Sequence, residues 1–247
     1  MFLIVTALEC EARGLRKVLG HRSGGATTSE ARLAVLGVMG QRAAQAVDTL
    51  LKGERPEALI SLGFAGALDD TLKEGDLVLG SRTVFRDREG NFSSWASSDE
   101  GLLERAKGAL EEADIPYHVG DTVTSWKAVG DPAEKGRLGV STKGLTVDME
   151  SSWIAGVAEK AGVPVLLVQA VLDRTSLNVP RSIVGAASRP AWFQWLWAGL
   201  TSLLSPRNVP ALLELRRCSS IAEESLAGFL RAFLGAGERE AAVHGDD

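Results

Sequence analysis

Cysteine is scarce in this chain: Cys10 and Cys218 are the only two in 247 residues. That is too few for a disulfide framework or a thiolate metal site, and it points to a reducing, cytoplasmic setting. Histidine is as sparse, and His21, His118 and His244 show no metal-ligand spacing, so neither metal nor cofactor is expected. A basic excess is missing as well: 27 Lys and Arg stand against 32 Asp and Glu, for a net charge of -5. A pI near 5.4 leaves no basic face for a nucleic-acid backbone. No run reaches the roughly 18 apolar residues that cross a bilayer. The opening MFLIVTAL is apolar only up to Glu9 and has no basic residue ahead of it, so it reads as a buried first strand rather than a signal peptide.

What is present is core and acid. A hydrophobic content of 45% supports one large α/β domain over residues 1–235, with a polar, frayed tail at 236–247. The stretch from Thr146 to Asp173, TVDMESSWIAGVAEKAGVPVLLVQAVLD, organises the rest. A short apolar run ends in Asp148-Met149-Glu150, and helical spacing then places Ile154, Val157, Ala158 and Ala161 on one face until Gly162 and Pro164 stop the helix. Val165–Val171 is a β-branched and Leu run of the kind buried on both faces of a parallel sheet. A strand, helix, strand unit of this length predicts a right-handed crossover between neighbouring parallel strands. Glu150 and Asp173 then share the sheet edge at which ligands bind.

Other segments add to that edge. Phe2–Ala7 reads as a strand followed by a helix to about Leu19, with Glu9 and Glu11 in its first turn. Carboxylates there also favour the helix macrodipole by about 0.3–1 kcal/mol. Arg32–Val38 reads as a strand, and Gly40 and Arg42 open the helix Ala43–Leu51, a candidate phosphate site. Ala58–Leu62 reads as a buried strand ending in the turn Gly63-Phe64-Ala65-Gly66-Ala67, where backbone amides can approach a ligand. Leu77–Val84 and Tyr117–Thr124 read as strands and Leu102–Ala113 as an amphipathic helix. Phe85–Asp99, with Trp95 alone in it, reads as a surface loop or lid, and Ser125–Gly139, with Trp126 and Ala128, as another loop. Residues 175–188 are loop-like. Trp192, Phe193, Trp195 and Trp197 crowd the segment 189–204, and Arg207–Arg217 and Ile221–Leu234 read as two helices.

Acids and backbone amides suit a reaction with a cationic transition state and a leaving group that needs a proton, such as cleavage of a sugar-to-base bond. Three segments carry a resemblance: ALECEA at 7–12, LGFAGALDDTLKEGDLVLG at 62–80 and VDMESSWIAGVAEKAGVPVLLVQAVLD at 147–173. Together they resemble the signature regions of the nucleoside phosphorylase/nucleosidase superfamily, most closely its methylthioadenosine/S-adenosylhomocysteine nucleosidase type. The resemblance implies a three-layer αβα sandwich with a mixed, partly barrel-like sheet, usually as a homo-oligomer. It also implies roles: Asp173 protonates the purine at N7, Glu150 binds the ribose hydroxyls, Met149 packs beneath the sugar, and Glu11 positions an attacking water. The segment around Trp126 and Ala128 stacks on the base.

Three positions depart from the family pattern: Phe64 replaces a Ser or Thr, Leu172 replaces a Ser, and Gln169 stands where Arg is frequent. Phe64 removes a hydroxyl from the anion site and counts against phosphorolysis, while Arg42 counts for it. A narrower resemblance, in DMES at 148–151, LNVP at 177–180 and RNVPALLELRR at 207–217, is to the hopanoid-associated phosphorylases. It implies a lipid-linked adenosine as substrate and a role for the Trp-rich segment as a lid or peripheral membrane anchor. A nucleoside-binding protein without turnover and a futalosine hydrolase are the competing readings.

Overall fold

The computed structural model describes residues 1–23, 31–37, 40–179 and 209–244. Residues 24–30, 38–39, 180–208 and 245–247, which include the Trp-rich segment, lie outside them.

In chain order the elements are β1 (Phe2–Thr6), α1 (Glu9–Ser23), β2 (Ala31–Val35), α2 (Gln41–Glu54), β3 (Ala58–Ala67), β4 (Leu77–Arg86) and β5 (Phe92–Ser97). Then follow α3 (Glu100–Glu112), β6 (Tyr117–Ser125), α4 (Pro132–Thr142), β7 (Thr146–Asp148), α5 (Ser151–Ala161), β8 (Val165–Asp173) and α6 (Val209–His244). The sheet has eight strands in the order β2-β1-β3-β7-β6-β4-β5, with β8 paired to both β3 and β4. That double pairing closes β3, β8, β4, β6 and β7 into a ring, from which β1, β2 and β5 extend.

Strand alternation sorts the core into two layers. Ile4, Ile60, Leu62, Leu166 and Val168 pack with Leu15 and Leu19 of α1, Ala106 and Leu110 of α3, and Leu226, Phe229 and Phe233 of α6. Their neighbours Leu3, Val5, Leu59, Val165 and Leu167 pack on the other side with Ala43 and Val47 of α2 and Ile154, Ala155 and Ala158 of α5. This is the three-layer αβα sandwich with a mixed sheet that the family resemblance implies.

Five local expectations are corrected. The Gly63–Ala67 segment is not a turn: β8 pairs with β3 from Leu59 to Gly66, and those ladder bonds keep the glycines extended. The β7–α5–β8 unit is not a parallel crossover between neighbours, because β3 lies between the two strands, antiparallel to β7 and parallel to β8. The presumed lid at 85–99 is the second half of a β4–β5 hairpin, and Trp95 packs edge-on to Phe85 and Trp153 at 4.8 and 4.9 Å. The presumed loop at 125–139 contains α4, capped by the Asp131 carboxylate accepting the Ala133 N–H, with Pro132 at the helix start. The two C-terminal helices are one, from Val209 to His244.

Two contacts generate predictions. A Cβ at Gly139 would lie 2.4 Å from the Leu68 carbonyl oxygen, so α4 sits against the end of β3 only because that position is glycine. Gly139→Ala should lower stability by about 1–3 kcal/mol, as overpacking does. Phe229, fully buried and stacked on Phe233 at 5.5 Å, anchors α6. Phe229→Ala should lose about 3–5 kcal/mol. Urea unfolding midpoints check both, and unchanged midpoints would contradict this account of the packing.

Candidate active site

Register at the end of β3 brings the acids together. Gly66 pairs with Val147 of β7 on one side and Asp173 of β8 on the other. The register between β3 and β8 slips there, with Ala65 opposite Val171 and Gly66 opposite Asp173, so Leu172 is an extra residue. A bulge of this kind breaks alternation and re-aims side chains. Leu172 and Asp173 accordingly both border one pocket of about 160 Å³. Glu11, Phe64, Ala65, Gly66, Ala128, Met149 and Glu150 border it too, with Asp148 and Val129. A second chamber of about 20 Å³ is lined by Glu11, Ser61, Phe64, Asp148, Glu150 and Gln169, among others.

Glu11 reaches the pocket from the first turn of α1 and is 4% exposed. Its Oε2 accepts the Leu8 N–H at 2.8 Å and its Oε1 the Phe64 N–H at 2.9 Å. Burial pushes its carboxyl up to about 7, against the pull of those N–H groups. Glu150 stands at the start of α5, where its Oε1 accepts the Gly40 N–H at 2.9 Å. Gly40 has φ 62° and ψ -142°, a conformation open to glycine, and its amide serves Glu150 rather than standing free for an anion. Burial, then the neighbouring Asp148 carboxylate, pushes Glu150 up to about 8.

Asp148 lies behind them and is held by neutral donors. Its Oδ1 accepts from Thr124 Oγ1 at 2.8 Å, and its Oδ2 from Gln169 Nε2 at 2.7 Å and from the Ser151 hydroxyl. Gln169 is oriented in turn by the hydroxyls of Thr122 and Thr146 on its Oε1. Burial raises the Asp148 carboxyl while these donors oppose the rise.

Asp173 is different, because it has a cation. Lys135 of α4, 0% exposed, is ion-paired through Nζ to Asp173 Oδ2 and donates to the Arg174 carbonyl at 2.8 Å. Burial raises the Asp173 carboxyl and the Lys135 ammonium opposes the rise.

Trp126 and Arg42 stand apart from the pocket. Trp126, 42% exposed, does not border it, and its ring centroid is 5.7 Å from the Arg88 guanidinium and 5.9 Å from the Lys127 ammonium. Arg42 is exposed on the first turn of α2 and borders neither cavity. Sequence reasoning missed Lys135 and Asp148. The available signals were the helix start Asp131-Pro132-Ala133-Glu134, which puts Lys135 in a first turn, and the place of Asp148 two residues before Glu150. Elsewhere, Glu74, Glu214 and Cys218 bring ligand atoms within 4.8 Å of one another. Glu74 is already paired with Arg174 at 3.0 Å and Glu214 with Arg217 at 2.7 Å.

The raised Glu150 has a consequence for stability. A carboxyl lifted on folding binds more protons folded than unfolded, so its contribution falls as pH rises from its unfolded value of 4.5 to about 8. Glu150→Gln removes that charge and can still accept the Gly40 N–H. Thermal melts should show it stabilising more near pH 9 than near pH 5. An equal effect at both would overturn the electrostatic account.

Residues 17–185 match the Phosphorylase superfamily. A 5'-methylthioadenosine/S-adenosylhomocysteine nucleosidase from Marinomonas sp. is 28% identical over 153 residues, covering 57% of this chain and 66% of that protein. A DeoD-type purine nucleoside phosphorylase from Aliivibrio fischeri is 34% identical over 124 residues, covering 47% of this chain and 51% of that protein. The matched stretch thus spans between half and two thirds of these curated relatives. The native structure of futalosine hydrolase from Helicobacter pylori superposes with a TM-score of 0.71 over 95% of this chain and 97% of that one, at 17% identity, which shows a common fold. With the family match covering more than half of its length, this chain belongs to the phosphorylase superfamily.

Proposed function

We propose that the protein cleaves the N-glycosidic bond of a purine nucleoside, with adenine as the leaving base and water as the nucleophile. The observation that carries this reading is the convergence of Glu11, Glu150 and Asp173 on one pocket from three separate elements. Asp173 donates a proton to the base at N7 as the bond breaks, and Glu150 holds the ribose hydroxyls with Met149 beneath the sugar. Glu11, raised toward neutrality, takes a proton from water attacking C1′. A group poised near the working pH can both hold and release that proton.

Two features favour water over phosphate. Every titratable side chain bordering the two cavities is an acid, so among the described residues no cation there offsets a phosphate dianion. The 20 Å³ chamber between Glu11, Asp148, Glu150 and Gln169 has room and polar partners for one water. Gln169 contributes to this directly, since a neutral amide stands where the family commonly places an arginine. The exposed Arg42 is the remaining candidate for phosphate, and its side chain lies outside both cavities.

The 5′ substituent follows the relatives' names only in outline. The narrower resemblance at 148–151, 177–180 and 207–217 implies a lipid-linked adenosine, and the Trp-rich segment that would meet its tail lies outside the described residues. Base release should therefore be measured on adenosine, methylthioadenosine, S-adenosylhomocysteine, futalosine and an adenosyl lipid, with and without phosphate. At least one should release its base at a rate that phosphate does not change. Asp173→Asn should lower that rate by about 10²–10⁴-fold while binding is retained. Unchanged turnover in Asp173→Asn would sink the mechanism, strict phosphate dependence would overturn the choice of water, and binding without release would leave a nucleoside-binding protein.

A further inference from the structure

A lysine with no exposed surface is an expensive thing to build, because a buried ammonium must be paired and hydrogen-bonded. Lys135 meets both requirements through the end of β8 alone: Asp173 Oδ2 and the Arg174 carbonyl. The absence of a side chain at Gly139 lets α4 lie against the Leu68 carbonyl. Lys135 itself borders neither cavity, and Asp173 borders the larger one. The lysine therefore reaches the pocket only through the aspartate.

We propose that Lys135 is a positioning residue for the proton-donating carboxyl. It holds Asp173 by Oδ2, leaves Oδ1 for the base, and stabilises the carboxylate that remains after the proton has left. This rests on the base-cleavage reading. In the balanced step, the proton on Asp173 moves to the purine nitrogen as the C1′–N bond breaks with its electron pair going to the base. Water adds to C1′ and gives its proton to Glu11, and Asp173 is left as a carboxylate beside the Lys135 ammonium. Oδ1 accepts no hydrogen bond among the described residues, which leaves it open to the base.

Other charged groups surround Asp173, and they set the direction of the effect. Glu74, on the turn before β4, acts against ionisation of Asp173, and Arg174 is paired to Glu74. Glu214 and Cys218 approach from α6, and Glu11, Asp148 and Glu150 share the pocket. Among the described residues Lys135 is the one cation in contact with the carboxyl, so its removal leaves burial and like charge, both of which hold the proton more tightly.

The test is the pH profile of base release by the full chain and its Lys135 variants. Activity should fall with rising pH as Asp173 loses its proton. In Lys135→Met that limb should move up by about 1–3 pH units, and in Lys135→Arg it should stay in place. The Met variant should lose far more rate on the nucleoside than on a p-nitrophenyl riboside, whose leaving group departs without a proton. An unmoved limb, or equal losses on both substrates, overturns the proposal. If the variants do not fold, carbon-13 lysine labelling of the wild type decides: a Lys135 ammonium that persists through the pH of activity loss supports it, and a neutral amine near pH 7 overturns it. Absence of base release in the wild type would instead refute the base-cleavage reading, which is a separate outcome.

Discussion

The structure depends on the pairing of one glycine. At Gly66, β3 is hydrogen-bonded to β7 on one side and to β8 on the other, and that double pairing helps close the five-stranded ring. Two acids from different parts of the chain thereby become neighbours across a single strand. β7 runs against β3, so its end at Asp148 points back along β3 toward Phe64, where Glu11 is hydrogen-bonded. β8 runs with β3 and carries the bulge that directs Asp173 to the same space. A one-residue slip in either pairing would turn one acid to the opposite face.

Bringing four carboxyls to one place creates an electrostatic problem that hydrogen bonds and protonation resolve. Among the described residues Asp148 is served by side-chain and backbone donors without a cation, and Gln169 is fixed for that purpose by two threonines. Glu11 and Glu150 each accept backbone N–H groups, and both sit well above the ordinary carboxylate range. The amide of Gln169 supplies direction without charge. An arginine there would pull the three acids down together, so the neutral residue leaves Glu11 and Glu150 able to exchange protons near neutral pH.

Much of this was legible in the sequence, and the failures have physical causes. The buried run of β8 and the helical spacing of α5 are strong periodic signals, so Glu150 and Asp173 were placed at element ends correctly. Strand direction was not legible, because a three-residue β7 carries no signal for which neighbour it pairs with. Glycines at 63 and 66 read as a turn because local propensity favours one, and only the ladder with β8 overrides it. The hairpin partner β5 reads as a loop because FSSWAS is largely exposed and serine-rich. α4 was lost among Gly130, Gly136 and Gly139, and Lys135 with it. A lysine is read as surface until the fold shows it buried, since nothing local distinguishes the two.

The treatment of charge differs among the acids in a way that matches their proposed work. A group that gives up a proton in the reaction ends it as a carboxylate, so a cation held in contact lowers the barrier by stabilising what forms. A group that takes a proton from water ends it neutral, and a cation in contact would oppose that change. Asp173 has the lysine, while Glu11 has backbone amides and a nearby carboxylate. In a pocket bordered by acids, the placement of one buried ammonium is enough to set the acid apart from the base.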